Sequence, residues 1–325
     1  MSLRLGVDLG GTSIKLGLID QHHEILDQLC IATPDSFDNA VSAIAGAVCQ
    51  LLTQAGVTIT SLPFVGVGVP STVHPVSGRL VLANNRGWLD APLGEALQSL
   101  LDCPVLVAND ADCALTAEAA AGEAKGLAHV LMLTLGTGVG AALLMDGKLY
   151  SGGDGMGMEA GHLPLIAGGW PCTCGASGCL EAYVSATGLI SLTRQAMAQH
   201  PDSLMHQLCA SGTSEVSGET AFAAASQADK AAITVIDQYC AWLAQGIGGL
   251  VNVFRPELVL LGGGVSHAGM PLIERVNDLL PRFVLAHELI GAPPVRQAAM
   301  GNGAGIIGAA TLDLVQGRKS HVRIP

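Results

Sequence analysis

Three cysteines fall within the eleven-residue stretch PCTCGASGCLE, which begins at Pro171. Thiols this close in sequence act as a redox pair, form a disulfide or bind a metal. The spacing Cys172-x-Cys174-x4-Cys179 is neither the Cys-x-x-Cys of thioredoxin-like sites nor the Pro-Cys-x-x-Cys of nucleobase deaminases. His162 precedes Cys172 by ten residues, and Cys₃His is an ordinary tetrahedral zinc set. The stretch therefore predicts a closed, structural zinc site, with reduced thiols in a loop as the alternative.

Carboxylates lie at both ends of this cluster, Glu159 just before it and Glu181 just after it. A loop fastened by zinc would fix both side chains, and fixed acceptors suit a ligand with many hydroxyl groups. Asn84 and Asn109 add amide donors and acceptors. Each of these residues, taken singly, is better explained by a turn or a helix cap.

Asp110 is the candidate general base. It follows the apolar run PVLVAN and opens the helical pattern ADCALTAEAAAGE. An Asp in this position is commonly a helix N-cap, but the carboxyl end of a strand also faces the crevice where α/β proteins bind ligands. Asp112 is expected to serve as the cap and to leave Asp110 for chemistry.

Three glycine-rich turns each follow an apolar run. They are Gly10-Gly11-Thr12, Gly136-Thr137-Gly138-Val139-Gly140 and Gly262-Gly263-Gly264. Backbone N–H groups in such turns can cradle an anion, and three of them in one chain predict a bound nucleotide. Asp8 is placed to act at Mg²⁺ beside the phosphates, whereas Lys15 is equally well a solvated strand end.

One further pattern, GAGIIG from Gly303 to Gly308, fits the dinucleotide fingerprint Gly-x-Gly-x-x-Gly. Too little chain follows it for the acidic partner that this fingerprint needs about 20 residues further on. Small residues that pack a helix are the expected explanation.

The elements that position these residues follow from the pattern of the chain. LRLGVDLGGTSIKLGLID and VLMLTLGTGVGAALLMDGKL both predict a β-hairpin with a glycine turn. PFVGVGVPS and CPVLVAND predict strands, and FDNAVSAIAGAVCQLLTQAG and residues 230–254 predict helices. Apolar residues make up 50% of the chain, aromatic residues only 3%, and there are 42 glycines, which is typical of an α/β fold with buried strands.

The charge and the cysteines restrict the class of protein. A formal net charge of −12 disfavours nucleic acid and anionic membranes as partners. The sequence shows no secretory signal and no apolar run of membrane-spanning length, so a cytoplasmic protein with reduced thiols is expected. The six cysteines outside the cluster are expected to be small buried apolar residues. They are Cys30, Cys49, Cys103, Cys113, Cys209 and Cys240.

Taken in order, these segments resemble the ROK family of repressors, open reading frames and kinases. The resemblance covers about residues 4–312 and rests on DLGGTSIK, GVPS, NNRGW, NDAD, LGTGVG, EAGH, CTCGASGCLEAY, LLGGGVS and GAGIIGAA. It implies an actin-like ATPase (ribonuclease H-like) fold of two α/β domains with a cleft between them. The expected domains are 1–112 plus about 300–317, and 113–299, which holds the zinc loop. A homodimer that phosphorylates a hexose with ATP and Mg²⁺ is expected.

The resemblance also implies roles for the residues singled out above. Asp110 is then the catalytic base, and the sugar is held by six residues. These are Asn84, Asn109, Asp110, Glu159, His162 and Glu181. The turns at Asp8–Thr12 and Gly136–Gly140 correspond to the phosphate loops, and Gly262–Gly264 to the adenosine side.

Three positions depart from the usual family pattern. They are Ser71 in place of Gly, Asp112 in place of Asn, and Gly303 in place of Asp or Asn. A sugar-responsive repressor of the same family would carry a winged helix ahead of Asp8 and is disfavoured, and a catalytically silent sugar-binding protein is the other alternative. The short spacing from His162 to Cys172 resembles that of glucokinase-like and N-acetylmannosamine kinase members, whereas some N-acetylglucosamine and fructose kinase members have a longer insertion there. This favours glucose, with N-acetylmannosamine, N-acetylglucosamine, fructose and allose as the alternatives.

Overall fold

The computed structural model describes residues 3–83, 87–209 and 215–315. It is a mixed α/β structure, as the composition predicts. The strands are β1 Arg4–Leu9, β2 Ser13–Ile19, β3 Ile25–Ala32, β4 Val65–Val69, β5 Thr72–Val73, β6 Leu80–Ala83, β7 Trp88–Ala91, β8 Val105–Asn109, β9 Val130–Leu135, β10 Val139–Met145, β11 Lys148–Leu149, β12 Leu258–Gly262 and β13 Val295–Gln297. The helices are α1 Phe37–Ala55, α2 Leu93–Leu101, α3 Asp110–Ala121, α4 Leu180–Val184, α5 Ala186–Gln199, α6 Thr220–Ala225, α7 Lys230–Phe254, α8 Met270–Leu279, α9 His287–Ile290 and α10 Ala304–Ala310.

The first sheet has the strand order β3-β2-β1-β4-β8. Its first three strands are antiparallel, whereas β1, β4 and β8 run parallel to one another. The parallel strands are nearly continuous apolar runs, because both of their faces are covered. The carboxyl ends of β1, β4 and β8 therefore meet at one edge, and the residues that follow each strand emerge there.

The second sheet repeats this order as β11-β10-β9-β12-β13. Strand β12 is parallel to both β9 and β13, and β10 pairs antiparallel with β11. Both predicted hairpins are thus confirmed. They are β1–β2 in the first sheet and β9–β10 in the second. A small third sheet has the order β5-β6-β7.

Helix α10 lies against the first sheet at unusually short range. A Cβ on Gly6 would overlap the carbonyl oxygen of Ile306, and a Cβ on Gly66 would overlap that of Ala309. On the helix itself, a Cβ on Gly308 would overlap the carbonyl oxygen of Cys113. Ile306 and Ile307 pack into a core that also contains residues of β2 and α3. The glycines of GAGIIG therefore serve helix packing, which confirms the structural interpretation of that motif.

Contacts divide the chain into two compact units. The first unit comprises Met1–Ala128, Ala142–Met158 and Ala299–Pro325, and the second comprises His129–Ala141 and Glu159–Ala298. The division of the chain into the domains 1–112 plus about 300–317 and 113–299 stays a prediction. Residues 113–121 group with the first unit because they belong to α3, which packs on α10.

Several local predictions are confirmed and others are wrong. Helix α7 has the predicted bounds, and α1 ends at Gly56, whose φ of 65° is the left-handed conformation that glycine tolerates. The prediction that all six scattered cysteines are buried is wrong for Cys30 and Cys49, which are exposed, and for Cys209, which is only partly buried. Cys30 lies on β3, an edge strand whose outer face is solvated, so burial is not needed there. Within the described residues, no helix combines the length and the apolar character needed to cross a membrane.

Candidate active site

The four predicted zinc ligands lie together in the second unit. The ligand atoms of His162, Cys172, Cys174 and Cys179 are all within 4.8 Å of one another. The Cys172 Sγ lies 3.6 Å from His162 Nδ1, and the Cys174 Sγ lies 3.7 Å from the Cys179 Sγ. The cysteines are free thiols, so the disulfide interpretation finds no support here.

These separations fit a tetrahedral zinc ion. Zn–S and Zn–N bonds of ordinary length at tetrahedral angles place two sulfurs about 3.8 Å apart and a sulfur and a nitrogen about 3.6 Å apart. Burial raises the pKa of the Cys172 thiol to about 12, so that thiol would stay protonated near neutral pH unless a cation were bound. The donor set and its spacing suit zinc.

An aromatic cluster holds the loop that carries these ligands. Trp170 stacks on Tyr183 with ring centroids 4.7 Å apart, and Trp242 meets both rings edge-on. The Trp170 backbone N–H also donates to the Tyr183 hydroxyl oxygen at 2.7 Å. Gly178 has a φ of 88° and no room for a Cβ beside the Ile166 carbonyl, so glycine is required at this turn between the cysteines.

Glu181 connects the metal cluster to the second glycine turn. Its Oε2 accepts the Val139 backbone N–H at 3.0 Å, and its Oε1 accepts the Thr173 hydroxyl at 3.0 Å. The same Oε1 lies 3.5 Å from the Cys172 Sγ. One carboxylate thus touches a residue between two zinc ligands and a residue of the turn Gly136–Gly140.

The remaining predicted residues of the second unit border the same region. Gly161, between Glu159 and His162, lies so close to the Val139 carbonyl that it has no room for a side chain. The Glu159 carboxylate is on the exposed side of this short turn. Gly263, with a φ of 79°, packs against the backbone of Leu135. The structure therefore brings the turns at 136–140 and 262–264 together.

In the first unit, Asp110 is the first residue of α3 and is exposed. The helix is capped by Asn109, whose Oδ1 accepts the Ala111 N–H at 2.8 Å. The expectation that Asp112 supplies the cap is therefore wrong, because the side chain of Asn109 reaches the free N–H group first. The Asp110 Oδ1 lies 3.0 Å from the same N–H, so its carboxylate sits at the positive end of the helix dipole.

Asp8 lies at the same edge of the sheet as Asp110. In the strand register, Asp8 lies beside Gly68 of β4, and Gly68 lies beside Ala108 of β8. Asp8 and Ala108 are therefore two strand spacings apart, which is about 10 Å. Burial raises the pKa of the Asp8 carboxyl, and the charge of Lys15, its register partner on β2, opposes that rise. A Cβ on Gly305 would lie 2.6 Å from the Asp8 Cγ, so the start of α10 covers this carboxylate.

The first glycine turn joins β1 to β2 next to Asp8. The Gly10 N–H donates to the Ser13 carbonyl at 3.0 Å, and the Thr33 hydroxyl donates to the Gly10 carbonyl at 2.9 Å. Gly11 and Thr12 are exposed at the tip. Asn84, predicted to bind the sugar, lies outside the described residues.

The sequence does not indicate the contacts of two residues in this region, Thr173 and Ser71. A threonine between two cysteines carries no signal of its own. Ser71, noted only as a departure, is 5% exposed, and its carbonyl accepts the Asn109 Nδ2 at 3.2 Å. Its hydroxyl donates to the Leu82 carbonyl at 2.9 Å.

Comparison with known proteins gives the family of the chain. The profile of the ROK family matches residues 4–316. The chain belongs to the ROK family. A glucokinase from Halalkalibacterium halodurans is 34% identical over 311 residues, which is 95% of this chain and 94% of that protein. An N-acetyl-D-glucosamine kinase from Escherichia coli is 32% identical over 321 residues, covering 95% of this chain and 98% of that protein.

A solved structure gives the same result for the fold. The ROK family glucokinase from Streptomyces griseus, in complex with glucose and AMPPNP, superimposes with a TM-score of 0.82 at 31% identity, covering 96% of this chain and 99% of that one. The fold is therefore the actin-like ATPase fold expected from the resemblance. The strand order that the two sheets share is the duplicated ribonuclease H-like pattern of the actin-like ATPase fold.

Proposed function

We propose that this chain, a sugar kinase of the ROK family, transfers the γ-phosphate of MgATP to the 6-hydroxyl of a hexose, with glucose as the preferred acceptor. The observation that carries the proposal is the exposed carboxylate of Asp110 at the sheet edge that also holds Asp8 and the Gly10–Thr12 turn. Carboxylates and glycine turns at the ends of parallel strands are what phosphoryl transfer needs: a base, a metal-binding group and phosphate donors.

Asp110 acts as the general base. Its carboxylate accepts the proton of the 6-hydroxyl while that oxygen attacks the γ-phosphorus in line. Asn109 holds the first turn of α3 through its cap, and so fixes the backbone from which Asp110 projects. Asp110 therefore needs little rearrangement to meet the hydroxyl.

The two glycine turns bind the phosphates. Backbone N–H groups of Gly10–Thr12 and Gly136–Gly140 donate to phosphate oxygens and stabilise the charge that spreads over them. Asp8 is the carboxylate that would hold Mg²⁺, and the ion would supply positive charge beside the phosphates. Lys15 lies next to Asp8 in the β1–β2 register and adds positive charge there. The turn at Gly262–Gly264 takes the adenosine side.

His162 Nδ1 and the sulfurs of Cys172, Cys174 and Cys179 would hold zinc, and the role of the ion would be structural. A closed Cys₃His site has no open position for a substrate. With Nδ1 on the metal, the Nε2 of His162 is left to donate to a sugar hydroxyl. Asn84, Asn109, Glu159 and Glu181 supply the other contacts to the sugar.

Glucose as acceptor rests on the glucokinase relatives and on the short spacing from His162 to Cys172. The E. coli relative supports an N-acetylhexosamine as the second candidate. N-Acetylmannosamine, fructose, allose and sugar binding without turnover complete the alternatives. We also propose a cytoplasmic homodimer without a nucleic-acid or membrane partner.

The test is coupled ADP release with MgATP across glucose, mannose, fructose, allose, N-acetylglucosamine and N-acetylmannosamine, on protein whose zinc content has been measured. We expect kcat/KM to be highest for glucose. A higher value for an N-acetylhexosamine would replace glucose as the acceptor. No turnover with any sugar, in zinc-loaded protein, would overturn the kinase assignment in favour of sugar binding alone.

A further inference from the structure

Glu181 joins the metal loop to the second glycine turn through a charged side chain. Its two oxygens are used on opposite sides, Oε1 by the Thr173 hydroxyl and Oε2 by the Val139 N–H, both at 3.0 Å. Hydrogen bonds to an ionised carboxylate are stronger and shorter than neutral ones. The side chain is therefore held in one position from both ends.

Thr173 is the residue that fixes the outer end. It lies between Cys172 and Cys174, so its backbone is placed by whatever holds those two sulfurs. Its side chain is exposed, and its hydroxyl donates to Glu181 Oε1. Because this hydroxyl donates to Glu181, the position of the loop determines the position of the carboxylate.

Gly138 is the matching feature on the inner end. A Cβ at this position would lie 2.5 Å from the Glu181 Oε2, which is closer than real atoms approach. The carboxylate thus fills the space that a side chain in the turn would need. Because Oε2 also accepts the Val139 N–H, the position of the carboxylate sets the orientation of a peptide within the turn Gly136–Gly140.

We infer that Thr173 is a positioning residue that works through Glu181 to shape the turn Gly136–Gly140, so that the metal loop sets the affinity for MgATP as well as for the sugar. This inference rests on the proposed function, because it takes the turn to be a phosphate site. The metal cluster then affects the binding of both substrates. It acts on the sugar directly, through His162 and Glu181. It acts on the nucleotide through the hydrogen-bonded series Thr173–Glu181–Val139.

The experiment measures the Kd of Mg-AMPPNP by isothermal titration calorimetry on zinc-loaded protein. Thr173→Val removes the hydroxyl at nearly constant shape, and Thr173→Ser restores it. Thr234→Val is the matched control, because Thr234 is also exposed in the second unit and its hydroxyl donates only within α7, to the Lys230 carbonyl at 3.0 Å. We expect Thr173→Val to raise the Kd about fivefold, with Thr173→Ser and Thr234→Val close to wild type.

A double-mutant cycle with Gly138→Ala decides whether the effect passes through Glu181. Both changes displace the same carboxylate, so the double variant should weaken binding by much less than the product of the two single effects. Multiplying effects would overturn the inference, as would an unchanged Kd in Thr173→Val. Loss of zinc from Thr173→Val would also overturn it, because Thr173 would then act on the metal site itself.

Failure of the inference and failure of the proposed function give different results. Wild-type protein that phosphorylates a hexose while Thr173→Val binds AMPPNP normally removes the inference alone. Wild-type protein that binds AMPPNP but phosphorylates no sugar removes the proposed kinase reaction, and the Kd values still decide the inference. Wild-type protein that binds no nucleotide overturns both.

Discussion

The two hairpin turns occupy equivalent places in two sheets of the same strand order, yet they are held by different means. Gly10–Thr12 is fastened by its own hairpin and by Thr33, which lies just past β3 in the same antiparallel meander. Gly136–Gly140 also has a local bond, from the Gly136 N–H to the Gly138 carbonyl at 3.0 Å, but it is held in addition by residues about fifty positions further along the chain. The Ala186 N–H donates to the Gly136 carbonyl at 2.8 Å, and the Thr187 hydroxyl donates to the Thr137 carbonyl at 3.1 Å.

Two turns at equivalent places in sheets of the same strand order can therefore be held in position by different parts of the chain. The hydrogen bonds named for the first turn come from Ser13 and Thr33, whereas those for the second come from α5 and from Glu181, which is also bonded to the loop of the metal ligands. Metal binding should therefore act on one turn and spare the other. The predictions below test this asymmetry in order of decreasing effect.

The largest effect should leave both turns intact. Asp110→Asn keeps the shape of the side chain but removes the base, and we expect kcat to fall by about 10²–10⁴-fold while hexose and AMPPNP still bind. Asp112→Asn, two residues along α3, is the matched control and should keep most of the activity. Near-normal turnover in Asp110→Asn, measured by coupled ADP release, would refute the assignment of the base.

Loss of the metal should separate the two turns. Cys179→Ser should lose zinc and reduce kcat/KM about 10–100-fold, since the groups that orient the site depend on the ligand loop. Cys49→Ser changes an exposed thiol on α1 and should alter neither property. Zinc content by mass spectrometry and hydrogen exchange of Gly10–Thr12 and Gly136–Gly140 are the measurements. Equal gains in exchange at both turns would contradict the asymmetry.

Removal of one hydroxyl that donates to each turn gives a smaller, graded test. Thr33→Val breaks a half-buried hydrogen bond and should lower the Tm by about 2–4 °C, as expected for a loss of about 1 kcal/mol. Thr187→Val breaks an exposed one and should lower the Tm by less than about 1 °C. Differential scanning calorimetry distinguishes the two, and the reverse order would show that exposure does not govern these contacts.

The smallest effect concerns stability against pH at the first turn. Burial raises the pKa of Asp8 above its ordinary 3.8, so the folded state binds this proton more readily than the unfolded state does. The carboxylate therefore costs stability as the pH rises through that range, and the cost persists at neutral pH. Asp8→Asn should raise the Tm slightly at pH 7, by less at pH 4, and should lose activity. A Tm advantage that shrinks as the pH rises would contradict this account.

Sequence reasoning reached features that local pattern determines. The metal ligands lie within eighteen positions and their chemistry is specific, and the hairpins follow from apolar runs around glycines. It could not reach contacts that only tertiary packing creates, such as the bond between Glu181 and Val139, 42 positions apart. Nor could it choose the cap of α3, since Asn109 and Asp112 are both good capping residues and only the path of the backbone selects one.

Helix α10 has a consequence for the order in which the protein is made. The helix covers Gly6 and Gly66 of the first sheet, and the Met300 N–H is held by the buried Glu118 carboxylate at 2.8 Å, across 182 positions of chain. A ribosome must therefore translate the whole second unit before the first sheet receives its cover. Contacts of such sequence separation are slow to form. The unit that emerges first is the last to complete its fold.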